Sequence, residues 1–360
     1  MPTAVAVLGG GNGGHALAAD LTRKGFSVHF ASDECFSRHM RGTLDTKKIN
    51  LQGIYGDYSY DIAMVTTDMA QAIEGIKYIF IAVPAYGIKN YAEKLSPLLR
   101  PGQVICLMPG TFGSLLFWKE LKKNGIQDVI VAETNTLPYA TRLVAPATSL
   151  IMSAFDPLKV GVLPASNSTN VVEELRQFFP QMTLVESVLA CGLNSLNSII
   201  HVPGCILNAG RIEYIQGNFH FYTEGFTNCV AHLTEAIDLE RIELLKKLGY
   251  EADIVAHGIG GSIQTDSIEE AIANDPNFAQ IKGPANFKNR YYTEDIPYGL
   301  AVWAKLGRLL NVDTPLMDAC VNLGSILIGD NCWEKGYSMS ELGISSFDIP
   351  TLKAFLVEGY

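Results

Sequence analysis

The segment Gly9-Gly10-Gly11-Asn12-Gly13-Gly14 constrains this chain more than any other. It follows at once on Ala4–Leu8, a continuous apolar run too short for a helix and therefore read as a buried strand. It opens the amphipathic stretch His15–Lys24, which Gly25 closes as a C-cap. Strand, G-x-G-x-x-G and helix in that order form the context that gives the glycine pattern its meaning. Gly9 permits the tight turn, Gly11 lets the backbone approach a pyrophosphate, and Gly14 allows the helix to pack closely on the strand. The free N–H groups of the helix N-terminus then favour negative charge. The expectation is a dinucleotide cofactor held by Gly9, Gly11, Asn12 and Gly14.

The rest of the N-terminal half repeats this alternation. Ser27–Ala31, Tyr78–Val83, Val104–Met108 and Val129–Ala132 read as strands, with Tyr86–Leu99 and Ser114–Asn124 as helices between them. That alternation predicts an α/β fold with a Rossmann-type doubly wound parallel sheet. Ser149–Ala154 and Lys159–Leu163 read as a β pair at the far edge, turned by Asp156-Pro157. Beyond about residue 185 strand patterns give way to helices over Cys191–Ile206, Phe226–Leu248, Ile268–Asn274, Leu300–Leu310 and Leu316–Leu327. The expected organisation is a dinucleotide-binding domain over 1–185 and an all-helical substrate and catalytic domain over 186–360.

Charge narrows the partners. With 27 Lys and Arg against 37 Asp and Glu, the net charge of −10 disfavours nucleic acid or an anionic membrane as partner. An acidic protein that handles anionic substrates must therefore concentrate a few cations locally. The seven cysteines are scattered and form no C-x-x-C pair, so neither a zinc site nor a redox motif is expected. Reduced cysteines, no signal peptide and no apolar run of membrane-spanning length read as a cytoplasmic protein.

Three loops at predicted strand ends bear on the cofactor. The second strand ends in Phe30-Ala31-Ser32-Asp33-Glu34. An acid there binds the ribose 2′-OH of NAD, whereas a small Ser32 leaves room for a 2′-phosphate, with Arg38 and Arg41 as its cations. If Asp33 holds the critical position, NAD is favoured; Asp33 and Glu34 also suit a plain helix N-terminus. The reading prefers NADP(H) to NAD(H). Val83-Pro84 and Pro109-Gly110 end later strands and are expected to border the nicotinamide, or else to be simple turns.

Hydride transfer to a carbonyl or imine needs a proton donor, and histidine suits that task near neutral pH. Seven are available. His15 reads as structural or near phosphate, His29 lies in a strand, and His39 and His232 sit on solvated faces. His201 stands out because Asn197, four residues earlier, shares its face on an apolar helix. A core histidine beside an Asn is the plain alternative. Asn289-Arg290-Tyr291-Tyr292-Thr293-Glu294-Asp295-Ile296-Pro297 supplies the missing partners. Asp295 is able to orient the imidazole, and Arg290 to grip a carboxylate with two hydrogen bonds. A surface Arg–Asp pair is the alternative here.

At these residues the chain resembles the opine dehydrogenases. The resemblance rests on the glycine turn with Asn12 and His15, on Met108-Pro109-Gly110-Thr111, and on Asn197-x-x-x-His201-x-Pro203. Arg290-Tyr291-x-x-Glu294-Asp295 followed by Gly299-Leu300, and the late Thr314-Pro315, complete it over almost the whole length. It implies reductive condensation of an amino acid with a 2-oxo acid such as pyruvate. His201 would be the general acid/base facing a bound nicotinamide, Asp295 its orienting partner, Arg290 the carboxylate anchor and Asn197 a substrate contact. Ser32 departs from the aspartate of an NAD-using relative, which puts NAD in doubt. Substrate-lining residues are expected in Thr134–Arg142 and Phe221–Gly225, no metal is expected, and a homodimer is the candidate assembly. A 2-oxo-acid or glycerol-3-phosphate-type reductase is the competing reading, but Gly192–Ile206 lacks the lysine such enzymes place there. A non-catalytic dinucleotide sensor would give His201, Arg290 and Asp295 no reason to converge.

Overall fold

The computed structural model describes residues 2–259 and 265–360. The chain forms two compact units, one of residues 1–192 with Phe355–Tyr360 and one of Leu193–Ala354. The sequence reading puts the division earlier, near 185.

In the first unit the strands are β1 (Ala4–Leu8), β2 (Ser27–Ala31), β3 (Lys48–Gly53), β4 (Tyr58–Asp61), β5 (Met64–Thr66) and β6 (Tyr78–Ile81). They continue as β7 (Val104–Leu107), β8 (Ile130–Thr134), β9 (Tyr139–Ala145), β10 (Thr148–Ala154), β11 (Leu158–Leu163) and β12 (Met182–Leu184). Its helices are α1 (Asn12–Arg23), α2 (Arg41–Thr46), α3 (Met69–Ile73), α4 (Ala85–Leu95), α5 (Gly113–Lys123), α6 (Ser168–Leu175) and α7 (Val188–Leu193). The large sheet runs β12-β11-β8-β7-β6-β1-β2-β5. From β5 to β8 every pairing is parallel. This is the strand order of a doubly wound dinucleotide-binding sheet, with its switch point between β1 and β6. Both faces are covered, so β6 and β7 are buried at every position, which accounts for their unbroken apolar sequences. Leu8 stands opposite both Ala31 and Ile81, so β1, β2 and β6 end level and deliver three loops to one edge.

Two features depart from expectation. Ser149–Ala154 and Lys159–Leu163 are strands but do not pair with each other. β10 pairs with β9 and β3 in a separate four-stranded sheet, β4-β3-β10-β9, whereas β11 joins the large sheet antiparallel to β8. Asp156-Pro157 therefore links two sheets rather than turning a hairpin. Burial explains the split: β11 is covered along nearly its whole length, as a strand inside a large sheet must be, while β10 keeps exposed positions. The small sheet itself is unforeseen. It packs on α1 through β9, β10 and β3, and there the buried Tyr139 hydroxyl donates to the Asp20 carboxylate.

The second unit is helical, and among its described residues the only β pairing is an isolated bridge from His220 to Lys282. It opens with α8 (Leu196–Leu207), α9 (Ala209–Ile215) and α10 (Asn228–Leu248). A π-helical turn over Asp295–Leu300 leads into the helix Ala301–Leu310, whose Trp303 is fully buried. One expectation about membranes is corrected. Val188–Leu207 is long and apolar enough to span one, with a mean hydropathy of 1.2 over an 18-residue stretch, yet 83% of that stretch is buried within the protein. Packing rather than lipid accounts for its apolarity.

Candidate active site

The glycine turn is built as its sequence requires. Gly9 has φ +121°, and a Cβ there would fall 2.3 Å from the Ala82 carbonyl oxygen at the end of β6. At Gly14 a Cβ would lie 1.6 Å from the Gly9 carbonyl oxygen, so only glycine lets α1 start this close to the strand. Gly11 differs, because a Cβ there meets nothing within 4 Å. It is the N-cap of α1, which has no side-chain cap and no acid in its first turn. The N–H groups there lack helical partners, and this bare terminus fits a pyrophosphate. Asn12 is exposed, and its side-chain oxygen accepts from the Leu143 N–H at 2.9 Å, tying the turn to β9.

His15 secures the turn from beneath. Its Nδ1 lies 3.0 Å from the Gly11 carbonyl, which only accepts, so Nδ1 carries the hydrogen. Nε2 then accepts from the Thr43 hydroxyl at 2.9 Å. Burial lowers its pKa to about 4, so the ring is neutral at physiological pH. His15 is structural.

At the end of β2, Ser32 is fully buried with its hydroxyl 3.3 Å from that of Tyr91. The Asp33 carboxylate is turned onto α4, pairing with Lys94, and also accepts from the Cys35 N–H. Burial pushes its pKa up, but Lys94, the Cys35 N–H and Asn90 outweigh that and leave it lowered. Asp33 thus caps the 3₁₀ turn Glu34–Met40, the plainer of its two readings. Arg38 and Arg41 are exposed just beyond it.

The later loops share the same edge. Val83 lies beside Gly9 and is half-buried, as is Pro84, the N-cap of α4. Pro109 is half-buried too, but Gly110 is buried, and a Cβ on it would fall 2.1 Å from the Glu133 Cβ. Glu133 was missed by the sequence reading. Fully buried in β8, it accepts from the Phe112 and Ser114 N–H groups at 3.2 and 3.1 Å. These bonds hold the β7–α5 loop, in which Thr111 and Phe112 take φ of 49° and 64°, unfavourable for non-glycine residues. Its signal was a lone acid in the apolar run Ile130-Val131-Ala132-Glu133.

In the second unit His201 and Asp295 meet. The π turn that begins at Asp295 is pressed against α8 at Gly299, where a Cβ would fall 1.9 Å from the Ser198 Oγ. His201 Nδ1 lies 2.7 Å from Asp295 Oδ2, and Nε2 lies 3.0 Å from the Tyr222 hydroxyl. Tyr291 stacks on the imidazole at 3.6 Å between centroids, 17° from parallel. The sequence reading placed Tyr222 only within a lining segment and gave Tyr291 no role, since neither contact follows from spacing. Arg290 is mostly exposed and pairs with the buried Glu294. Asn197 is exposed one helical turn before His201. Among the described residues no group of three or more His, Cys, Asp or Glu side chains is placed to hold a metal ion.

Comparison with known proteins matches both units. Residues 184–328 match the NAD/NADP octopine/nopaline dehydrogenase alpha-helical domain, and residues 4–139 the NAD-dependent glycerol-3-phosphate dehydrogenase N-terminus. The opine dehydrogenase of Arthrobacter sp. (strain 1C) is 34% identical over 346 residues, covering 94% of this chain and 95% of that one. The octopine dehydrogenase of Mizuhopecten yessoensis is 22% identical, covering 91% of each chain. A solved octopine dehydrogenase in complex with NADH and agmatine superposes with a TM-score of 0.79 at 19% identity, covering 99% of this chain and 98% of that one. An NADP+-bound yersinopine dehydrogenase does so with 0.71 at 14% identity over the same shares. The chain is an NAD(P)-dependent oxidoreductase and belongs to the opine dehydrogenase family.

Proposed function

We propose that this enzyme condenses an amino acid with a 2-oxo acid and reduces the resulting imine, with His201 as general acid/base. The observation that carries the assignment of His201 is its 2.7 Å bond to Asp295. A carboxylate only accepts, so Nδ1 bears the hydrogen and Nε2 is left as the basic nitrogen. Attack of the amine on the carbonyl gives a carbinolamine, and its hydroxyl leaves as water once protonated. His201 holds the proton for that step, and Asp295 stabilises the imidazolium that results when the proton is taken back. Arg290 supplies the local positive charge an acidic protein needs for a carboxylate, and Asn197 a polar contact on the same helix face as His201. The bound cofactor supplies the hydride at the α-carbon.

NADP(H) is the preferred cofactor in this reading. Ser32 is small, Asp33 is engaged by Lys94, and Arg38 and Arg41 are exposed where a 2′-phosphate needs cations.

The test is NAD(P)H oxidation with pyruvate and a panel of amino acids, alone and together. Turnover is expected only with both substrates, and His201→Ala should lower kcat by about 10²–10⁴-fold. Equal turnover with the oxo acid alone would instead indicate a simple keto-acid reductase.

A further inference from the structure

The imidazole of His201 is held at its edge by hydrogen bonds and on its face by a ring. Nδ1 meets Asp295 and Nε2 meets the Tyr222 hydroxyl. Tyr291 covers one face, with 3.6 Å between centroids and 17° between planes. Ring carbons attract best at about 3.5–4 Å, so at this separation the two rings stand almost centre over centre. Two neutral π systems avoid that arrangement, because both faces carry negative charge density and prefer an offset or an edge-on approach. The neighbouring pairs His201–Phe221 and Phe221–Tyr222 are indeed edge-on, at 65° and 89°. A protonated imidazole reverses the preference, since a cation is drawn to the face of a phenol ring. The backbone fixes the stack from both ends. The Tyr292 hydroxyl donates to the Cys205 carbonyl at 2.7 Å, and Gly299 lets the π turn close on Ser198, about one turn of α8 to either side of His201. Asn289 accepts from the Tyr291 N–H at 3.0 Å, and the buried Phe221 packs on the Tyr291 ring with 5.4 Å between centroids.

We propose that Tyr291 is a positioning residue of the reaction, whose π face stabilises His201 as the imidazolium. Tyr291 and Asp295 stand four residues apart and reach the ring together, one on its face and one at its edge. Their tasks differ. Asp295 acts at Nδ1 and fixes the tautomer, whereas the Tyr291 face acts on the charge of the whole ring and does not distinguish its nitrogens. Together they keep the proton on the imidazole until the carbinolamine hydroxyl takes it. The near-centred stack is the observation that separates this role from plain packing, because it is the geometry a cation favours and a neutral pair does not.

This inference rests on the proposed role of His201, and the experiment separates the two. Wild type, His201→Ala, Tyr291→Phe and Tyr291→Leu are assayed for kcat and amino-acid KM. A further series carries phenylalanine with one, two or three ring fluorines at position 291. Fluorine keeps the ring and its packing but withdraws negative charge from its face. Tyr291→Phe is expected to keep kcat within about twofold, because the face remains. Tyr291→Leu should lose about 3–30-fold in kcat, the scale of one cation–π contact, with KM within about threefold. The fluorinated rings should lower kcat stepwise with fluorine number toward the leucine value, which a packing role would not produce. A flat kcat along that series overturns the inference, as does a loss confined to KM. A Tyr291→Phe as slow as Tyr291→Leu also overturns it, since the hydroxyl would then be the working group. If Tyr291→Leu does not fold, the fluorine series decides alone. A flat series beside an inactive His201→Ala removes the role of Tyr291 only, whereas an active His201→Ala would defeat the role of His201 itself.

Discussion

Glu133 shows how one buried side chain can govern a loop. Burial pushes its pKa up to about 7, even though the Phe112 and Ser114 N–H groups favour the carboxylate. A carboxyl whose folded pKa is raised binds its proton more tightly folded than unfolded. Its contribution to stability is therefore present below the ordinary value of 4.5 and is lost as pH rises through about 7. The loss amounts to about 3 kcal/mol for a shift of this size. Glu133→Gln should remove that slope, so urea denaturation of wild type and variant between pH 5 and 8 should diverge steadily. Parallel curves would mean that Glu133 does not titrate in this range. The Cys106 and Cys191 thiols nearby are raised by burial and by Glu133 itself, so they remain neutral and do not blur the reading.

Among the elements, the end of β2 carries the choice of cofactor. Ser32 is buried and bonded to Tyr91, so its contribution is to leave space, whereas Arg38 and Arg41 on the following turns are exposed. Arg38→Ala should therefore weaken NADPH by about tenfold in kcat/KM, the scale of one charge-assisted hydrogen bond, and leave NADH nearly unchanged. Ser32→Asp should shift preference toward NADH, since a carboxylate both bonds the ribose hydroxyls and repels a 2′-phosphate. Equal losses for both cofactors in Arg38→Ala would count against the phosphate reading. Most strands of the large sheet were legible because strands buried on both faces are apolar runs; its short edge strands β5 and β12, which are only partly covered, were not. The small sheet was not. β4 reads Tyr-Ser-Tyr-Asp and is largely exposed, so it carries no pattern distinct from a loop, whereas β3 does alternate, with Ile49 and Leu51 buried, and its short signal was overlooked.

On the scale of the whole molecule, the chain leaves the first unit after Gly192 and its residues Phe355–Tyr360 rejoin it. Leu356 is buried there, and the Trp118 indole N–H donates to the Gly359 carbonyl at 2.9 Å. Truncation after Ala354 should cost the first unit about 2–4 kcal/mol, from one lost leucine burial and one indole hydrogen bond. The unfolding midpoint of the dinucleotide-binding unit in urea would report it, and an unchanged midpoint would show that this return is dispensable.

Local sequence was enough to foresee the parallel sheet, the glycine turn and the helical second half, because strand burial, backbone clearance and helical periodicity are local properties. It also nominated His201, Asp295, Arg290 and Asn197. Packing alone settled which distant groups touch: Asp295 and Tyr222 on the two nitrogens of His201, Lys94 on Asp33, and Glu133 beneath the β7–α5 loop. These pairings join residues on different elements or different turns, and hydrogen bonds of a few ångströms depend on how elements pack, which no spacing along the chain records.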